Sequence, residues 1–194
     1  MDIKLFFGIT AAIITVVAYY PYIRDIFQGK TKPHAYTWLI WGITQGTAAA
    51  ILLYGGGNFG AISLVAGTLL VLFVFLLSFK YGTKSITKID TAVLIVALLA
   101  VAVWWQLNNP LLAVLMVSAI DGLGYIPTFR KSFVEPWSET LSFWTSMVVV
   151  NFLILLSLSE YNFLTVTYIA TLAAGNIAVL IICIVRRIII PKPV

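Results

Sequence analysis

Seven long apolar runs separated by short connections constrain this chain more than any other feature. They cover residues 4–23, 36–55, 60–79, 91–107, 111–129, 140–158 and 162–185. A bilayer core of about 30 Å takes roughly 20 helical residues to cross, and backbone polar groups in hydrocarbon must be satisfied within the segment. Each run therefore reads as a transmembrane helix. The fourth is the shortest, and Trp104 and Trp105 at its end suit an interfacial anchor. The connections leave no room for a soluble catalytic domain. With 61% hydrophobic residues, 10% charged residues and a mean hydropathy of +1.04, the chain lies outside the soluble globular range. The expected class is an all-α integral membrane protein of a bacterial-type plasma (inner) membrane. The first run lacks a small-x-small cleavage pattern before Tyr19-Tyr20-Pro21, which argues against a removable signal peptide.

Charge sets the expected orientation. Arg24, Lys30 and Lys32 follow the first run, Lys80, Lys84 and Lys88 the third, Arg130 and Lys131 the fifth, and Arg186, Arg187 and Lys192 the seventh. Eleven of the 12 basic residues thus fall on one side, Lys4 being the exception. By the positive-inside bias that side is cytoplasmic, with the N-terminus out and the C-terminus in. The net charge of +5 is accounted for by this topology and needs no nucleic-acid partner. Cys183 is the single cysteine and His34 the single histidine, which excludes a disulfide scaffold, a cysteine-based metal site or a histidine zinc cluster. No cofactor is expected.

The chain also repeats itself. At a constant offset of 106, Tyr19 meets Tyr125, Pro21 meets Pro127, Arg24 meets Arg130, Phe27 meets Phe133, Trp38 meets Trp144 and Gln45 meets Asn151. With the offset widened to 108, Gly67 meets Gly175 and Thr68 meets Asn176. Matches at Pro, Arg and Trp point to a duplication. The offset spans four helices, so the first and fifth run the same way. This requires a 3+1+3 arrangement of parallel halves: a first three-helix bundle over residues 1–88, a linker helix over 89–108, and a second bundle over 109–194.

These residues resemble a known family. Pro127-Thr-Phe-Arg-Lys-x-Phe followed by Ser138-Glu-Thr-x-Ser, with Pro21-x-x-Arg and Lys30-Thr-Lys as the first copy, is similar to the PQ-loop signature of the SWEET sugar facilitators and their relatives. Tyr22 and Thr128 stand where that signature has Gln after proline, a departure that bears on the subfamily. The resemblance implies a transporter working by alternating access. It also implies that Asn176, with Thr68 as its first-half counterpart, is the paired position that contacts solute.

Depth and helical phase point to the same region. At 1.5 Å per residue, Asp121 lies about 15 Å into its run, near the bilayer midplane, with Gln45, Thr68 and Asn151 at similar depth and Asn176 somewhat inward. Trp38, Trp41 and Gln45 form one stripe, and Trp144, Met147 and Asn151 repeat its spacing. Asp121 and Tyr125 are an i, i+4 pair matched by Thr15 and Tyr19, and Thr165, Tyr168, Gly175 and Asn176 share a face. Carboxamides supply donors and acceptors for a diol or amide, and indole and phenol faces cover an apolar ring. The candidate solute-binding residues are therefore Tyr19, Trp38, Gln45, Thr68, Asp121, Tyr125, Trp144, Asn151 and Asn176. Against this stand bland readings: an interfacial belt for Trp38 and Trp144, helix–helix hydrogen bonds for Asn151 and Asn176, and close packing for Gly67 and Gly175. Pro21 and Pro127 free a carbonyl one turn upstream and are candidate gating hinges, or fixed kinks. Asp121 either hydrogen-bonds a neighbouring helix or couples solute movement to a proton, because an unpartnered acid in hydrocarbon is costly.

The expected function is transport of a small polar solute, sugar-like or another small metabolite, with proton coupling through Asp121 as one form of it. The alternatives are a nicotinamide-riboside-type vitamin transporter, which shares the seven-span arrangement, and a ligand-binding membrane receptor that does not translocate. An enzyme is not expected, since only Asp121 offers an acid or base at depth. The expected partners are a small-molecule solute, membrane lipid and the coupled proton, with self-association into a homo-oligomer left open.

Overall fold

Capping and proline chemistry place the helix ends. Asp2 caps the first helix by accepting from the Lys4 amide at 2.9 Å. Asn109 caps the fifth by accepting from the amides of Leu111 and Leu112, with Pro110 in the first turn, where its missing N–H costs nothing. The computed structural model describes residues 2–54, 60–104, 106 and 109–192. Trp105 and most of the glycine-rich turn, residues 55–59, lie outside the described residues. Those described form seven α-helices and no strand: α1 (Ile3–Phe27), α2 (Ala35–Tyr54), α3 (Gly60–Tyr81), α4 (Lys88–Trp104), α5 (Pro110–Val134), α6 (Leu141–Ser157) and α7 (Phe163–Ile189), with a 3-10 turn at Pro136–Ser138 before α6.

Within each half, the third helix lies against the other two: α3 on α1 and α2, α7 on α5 and α6. The halves meet through α1 on α6 and α2 on α5, two pairings that interchange when one half is exchanged for the other. The remaining helix, α4, rests on α5 and α2. Loop contacts fix the chain direction. Lys131, near the end of α5, donates to the Lys32 carbonyl just after α1 at 2.7 Å. Arg186, near the end of α7, reaches the Phe133 carbonyl at 2.8 Å. At the opposite end Lys4 reaches the Ser159 carbonyl at 3.1 Å. So α1, α5 and α7 run the same way, and the ends they share carry nearly all the basic residues. They form the basic end of the protein.

The outer surface is apolar. Val17 on α1, Leu69 and Leu76 on α3, Leu99 on α4 and Ile181 on α7 are all more than half exposed. Three segments, Ile3–Phe27, Ser63–Tyr81 and Thr165–Ile189, are long and apolar enough to cross a membrane, and Leu141–Ser157 is a shorter apolar helix. An all-helical chain with large aliphatic side chains outward and acids, amides and tryptophans inward is consistent with an all-α membrane protein.

Candidate functional site

A cavity of about 70 Å³ lies where the two halves meet, lined by side chains from α1, α2, α3, α5, α6 and α7. Asp121 stands on its wall and is fully buried. Its Oδ1 accepts from the Thr44 hydroxyl in a short hydrogen bond and from the Tyr168 hydroxyl at 3.5 Å. Its Oδ2 has no partner. Gly124 allows this geometry: a Cβ there would stand 3.0 Å from both Ile40 and the Trp41 indole. The close approach of α2 to α5 brings Trp41 Nε1 to within 3.4 Å of the Asp121 carbonyl.

The other amide-bearing residues gather around the same space. Asn176 Oδ1 accepts from the Tyr125 hydroxyl at 2.9 Å, and that hydroxyl also lies 3.3 Å from the Leu172 carbonyl. The Tyr125 ring lies directly over Gly175, where any Cβ would collide with it. Gln45 and Asn151, equivalent in the repeat, both line the cavity, and Gln45 Oε1 and Asn151 Nδ2 are buried without partners. Gly67 gives Gln45 its room, since a Cβ would sit 3.0 Å from the Gln45 amide nitrogen. At the position equivalent to Asp121, the Thr15 hydroxyl pairs with Ser63 at 3.1 Å.

Of the nine residues expected in a binding site, eight line this cavity: Tyr19, Trp38, Gln45, Asp121, Tyr125, Trp144, Asn151 and Asn176. Thr68 does not. Its hydroxyl turns back onto the Leu64 carbonyl at 2.8 Å, and Gly67 takes the lining position beside it. Trp38 and Trp144 are 2% and 1% exposed, facing the interior where an interfacial belt would face lipid. Both helices continue through their prolines, α1 through Pro21 and α5 through Pro127.

Towards the basic end the cavity rests on aromatic side chains. Tyr22 packs on Phe143 and Trp38, with ring centres 4.5 and 5.3 Å apart, and Trp38 meets Trp41 edge-on at 5.3 Å. Below them is a buried polar layer. Lys131 and Glu139 form an ion pair whose side chains are each 1% exposed, and Glu139 Oε2 accepts from Trp144 Nε1 at 2.9 Å. The connection after α1 is tied to the one before α6: the Lys32 amide to the Ser138 carbonyl at 3.2 Å, and Thr31 Oγ1 to Thr140 Oγ1 at 2.5 Å. Thr140 in turn donates to Asp25 at 3.0 Å. Beside this layer Arg130 pairs with Asp90 at 2.6 Å. The buried His34 has Nε2 3.5 Å from the same carboxylate, without hydrogen-bond geometry. Burial pushes the His34 imidazole down to about 4, against the upward pull of Asp90.

Sequence reasoning missed Thr44 and Ser63, the hydroxyl partners of Asp121 and Thr15. Thr44 lies three residues after Trp41 on the already identified stripe, a signal that could have found it. It also missed the Lys131–Glu139 pair, because the two residues were read as parts of a signature and not as partners. No family model, curated protein or solved structure matches the chain.

Proposed function

We propose that this chain is a seven-span membrane transporter of a small polar solute, related in architecture to the SWEET and PQ-loop proteins. In this reading its N-terminus is outside, its basic end is cytoplasmic, and it works by alternating access between two three-helix bundles joined by α4. One observation carries the proposal. The cavity at the junction of the two halves holds three buried polar atoms without partners: Asp121 Oδ2, Gln45 Oε1 and Asn151 Nδ2. Buried polar groups are nearly always paired, and an unpaired one costs about 1–3 kcal/mol. Three around one cavity are the pattern of a site whose partner is a ligand.

The aromatic floor and the Thr31–Thr140 and Lys32–Ser138 contacts then form the inner gate. Opening it means parting α1 from α6, the helices that flank those contacts, with Pro21 and Pro127 lying near the moving ends. Proton coupling has a structural basis in Thr44, whose hydroxyl lies 3.0 Å from the Ile40 carbonyl as well as against Asp121. It has one hydrogen. Given to Ile40, it leaves Thr44 to accept from a protonated Asp121; given to Asp121, it stabilises the carboxylate. Oδ1 thus keeps a hydrogen bond in either state of the acid without moving a helix.

The cavity, about 70 Å³, is a few water molecules in size, one water needing at least about 10–15 Å³. That favours a small solute over a nucleoside-sized one such as nicotinamide riboside. Counterflow in proteoliposomes loaded with candidate solutes tests the proposal. Accelerated exchange of a labelled solute supports it, and saturable binding without exchange would make the protein a receptor.

A further inference from the structure

The charge inventory of the cavity narrows the solute. Among the described residues that line it, Asp121 is the only carboxylic acid, and no Lys, Arg, His or Glu stands beside it. The elements packed on α5 supply no countercharge either. Facing Asp121 are the hydroxyls of Thr44 from α2 and Tyr168 from α7, with Tyr125 one turn along α5 itself. The charged residues of α4 and α7, namely Lys88, Asp90, Arg186 and Arg187, lie at the basic end. Each carboxylate oxygen can accept two hydrogen bonds. A buried carboxylate without a cation is strongly unfavourable, so an ionised Asp121 needs its partner from outside the chain.

We propose that the solute is a small organic cation bearing N–H donors, held by Asp121 Oδ2 and Gln45 Oε1 against the indole faces, and that it competes with a proton for Asp121. This rests on the transporter reading above and names its substrate class. Two of the three unpartnered atoms, Asp121 Oδ2 and Gln45 Oε1, are acceptors, and an ammonium group supplies three donors together with the missing charge. A neutral polyol could bond both oxygens but would bring no charge to replace the proton of Asp121. The third atom, Asn151 Nδ2, is a donor suited to a hydroxyl or carbonyl oxygen on the same solute. Trp41, Trp38, Tyr125 and Trp144 all line the cavity, packed edge-on or tilted with Trp41 ring centres 5.3, 4.6 and 6.0 Å from the other three, so the wall is built of the ring types that attract cations.

The exchange balances. With the cavity empty, Asp121 carries a proton. As the ammonium enters, that O–H bond breaks, the proton leaves to solvent, and N–H···O⁻ hydrogen bonds form in its place. One positive charge replaces another, and Thr44 turns its hydrogen from Ile40 to Asp121.

The test uses the full-length protein in detergent and the fluorescence of the cavity tryptophans, with methylammonium, ethanolammonium and choline as cations and glycerol and glucose as neutral probes. Ethanolammonium should quench saturably and more tightly than choline, which has no N–H. On the acid side of one titration its affinity should fall by about tenfold per pH unit, as expected for one displaced proton. Asp121→Asn should abolish that pH dependence and weaken amine binding at least about tenfold. If that variant does not fold, Gln45→Leu should weaken ethanolammonium severalfold while keeping the pH dependence. Binding of glycerol or glucose in place of all three cations, or amine binding independent of pH, overturns the inference. Counterflow separates the two claims. Neutral solutes exchanged without amine binding would sink the cation and leave the transporter; amines bound but never exchanged would sink the transporter and leave the cation site.

Discussion

Removing the Glu139 carboxylate should cost more stability than any exposed ion pair could. Lys131 and Glu139 have side chains 1% exposed, so neither charge has water as an alternative partner. In Glu139→Gln the Lys131 ammonium would keep only the Lys32 carbonyl at 2.7 Å, while its charge would go uncompensated. Breaking one side of a buried pair typically costs about 3–5 kcal/mol, whereas replacing both charges by neutral groups of similar volume is near neutral. The double variant Lys131→Met/Glu139→Gln should therefore recover most of the loss, the more so because Gln can still accept from Trp144 Nε1, now 2.9 Å from Glu139 Oε2. The chain carries its own reporter. Cys183 is its single cysteine and is fully buried, so a fluorogenic thiol dye reads unfolding directly. Glu139→Gln should melt well below wild type and the double variant close to it. A single variant within about 0.5 kcal/mol of wild type, the range of ordinary surface changes, would refute the reasoning, as would a double variant no better than the single.

Other outcomes follow from the same packing. The His34 imidazole is held at about 4, below its ordinary 6.5, so the unfolded chain takes up that proton first and stability should decline as pH falls from about 6.5 to about 4; His34→Gln should flatten that slope in dye-monitored melts. Gly175→Ala would push a methyl into the Tyr125 ring, an overpacking worth about 1–3 kcal/mol, while Gly67→Ala meets only the movable Gln45 amide and should cost less in the same assay. Asn176→Ala should lower solute affinity by roughly five- to a hundredfold, from about 1–3 kcal/mol for an unpaired group. Its fold should be kept, because the Tyr125 hydroxyl still reaches the Leu172 carbonyl; normal uptake would make Asn176 a packing residue.

Much of this arrangement could be read before any coordinates, and for a physical reason. Apolar length sets where helices lie, so all seven fell within a few residues of the expected runs, and the residues matched by the repeat, Gln45 with Asn151 and Tyr19 with Tyr125, all line the cavity. What escaped was whatever depends on side-chain rotation about a helix axis. Thr68 occupies the repeat position of Asn176, yet its short hydroxyl satisfies itself on its own helix through Leu64, which a longer carboxamide cannot do as easily. The ion pairs of the basic end escaped for a different reason. Positive-inside bias uses Lys131 and Arg130 only to mark a side, whereas pairing with Glu139 and Asp90 lets one be buried and the other partly so. Charge counts carry no information about partners folded back from another helix.

The central claim, that the two halves must part at the basic end for solute to move, is tested most directly by locking them together there. The hydroxyl oxygens of Thr31 and Thr140 lie 2.5 Å apart across the junction, so Thr31→Cys/Thr140→Cys in a Cys183→Ser background places two thiols within bonding reach. Oxidation should stop counterflow in proteoliposomes, and a reductant should restore it, with each single-cysteine control unaffected. Full exchange through the oxidised, cross-linked protein would contradict the account.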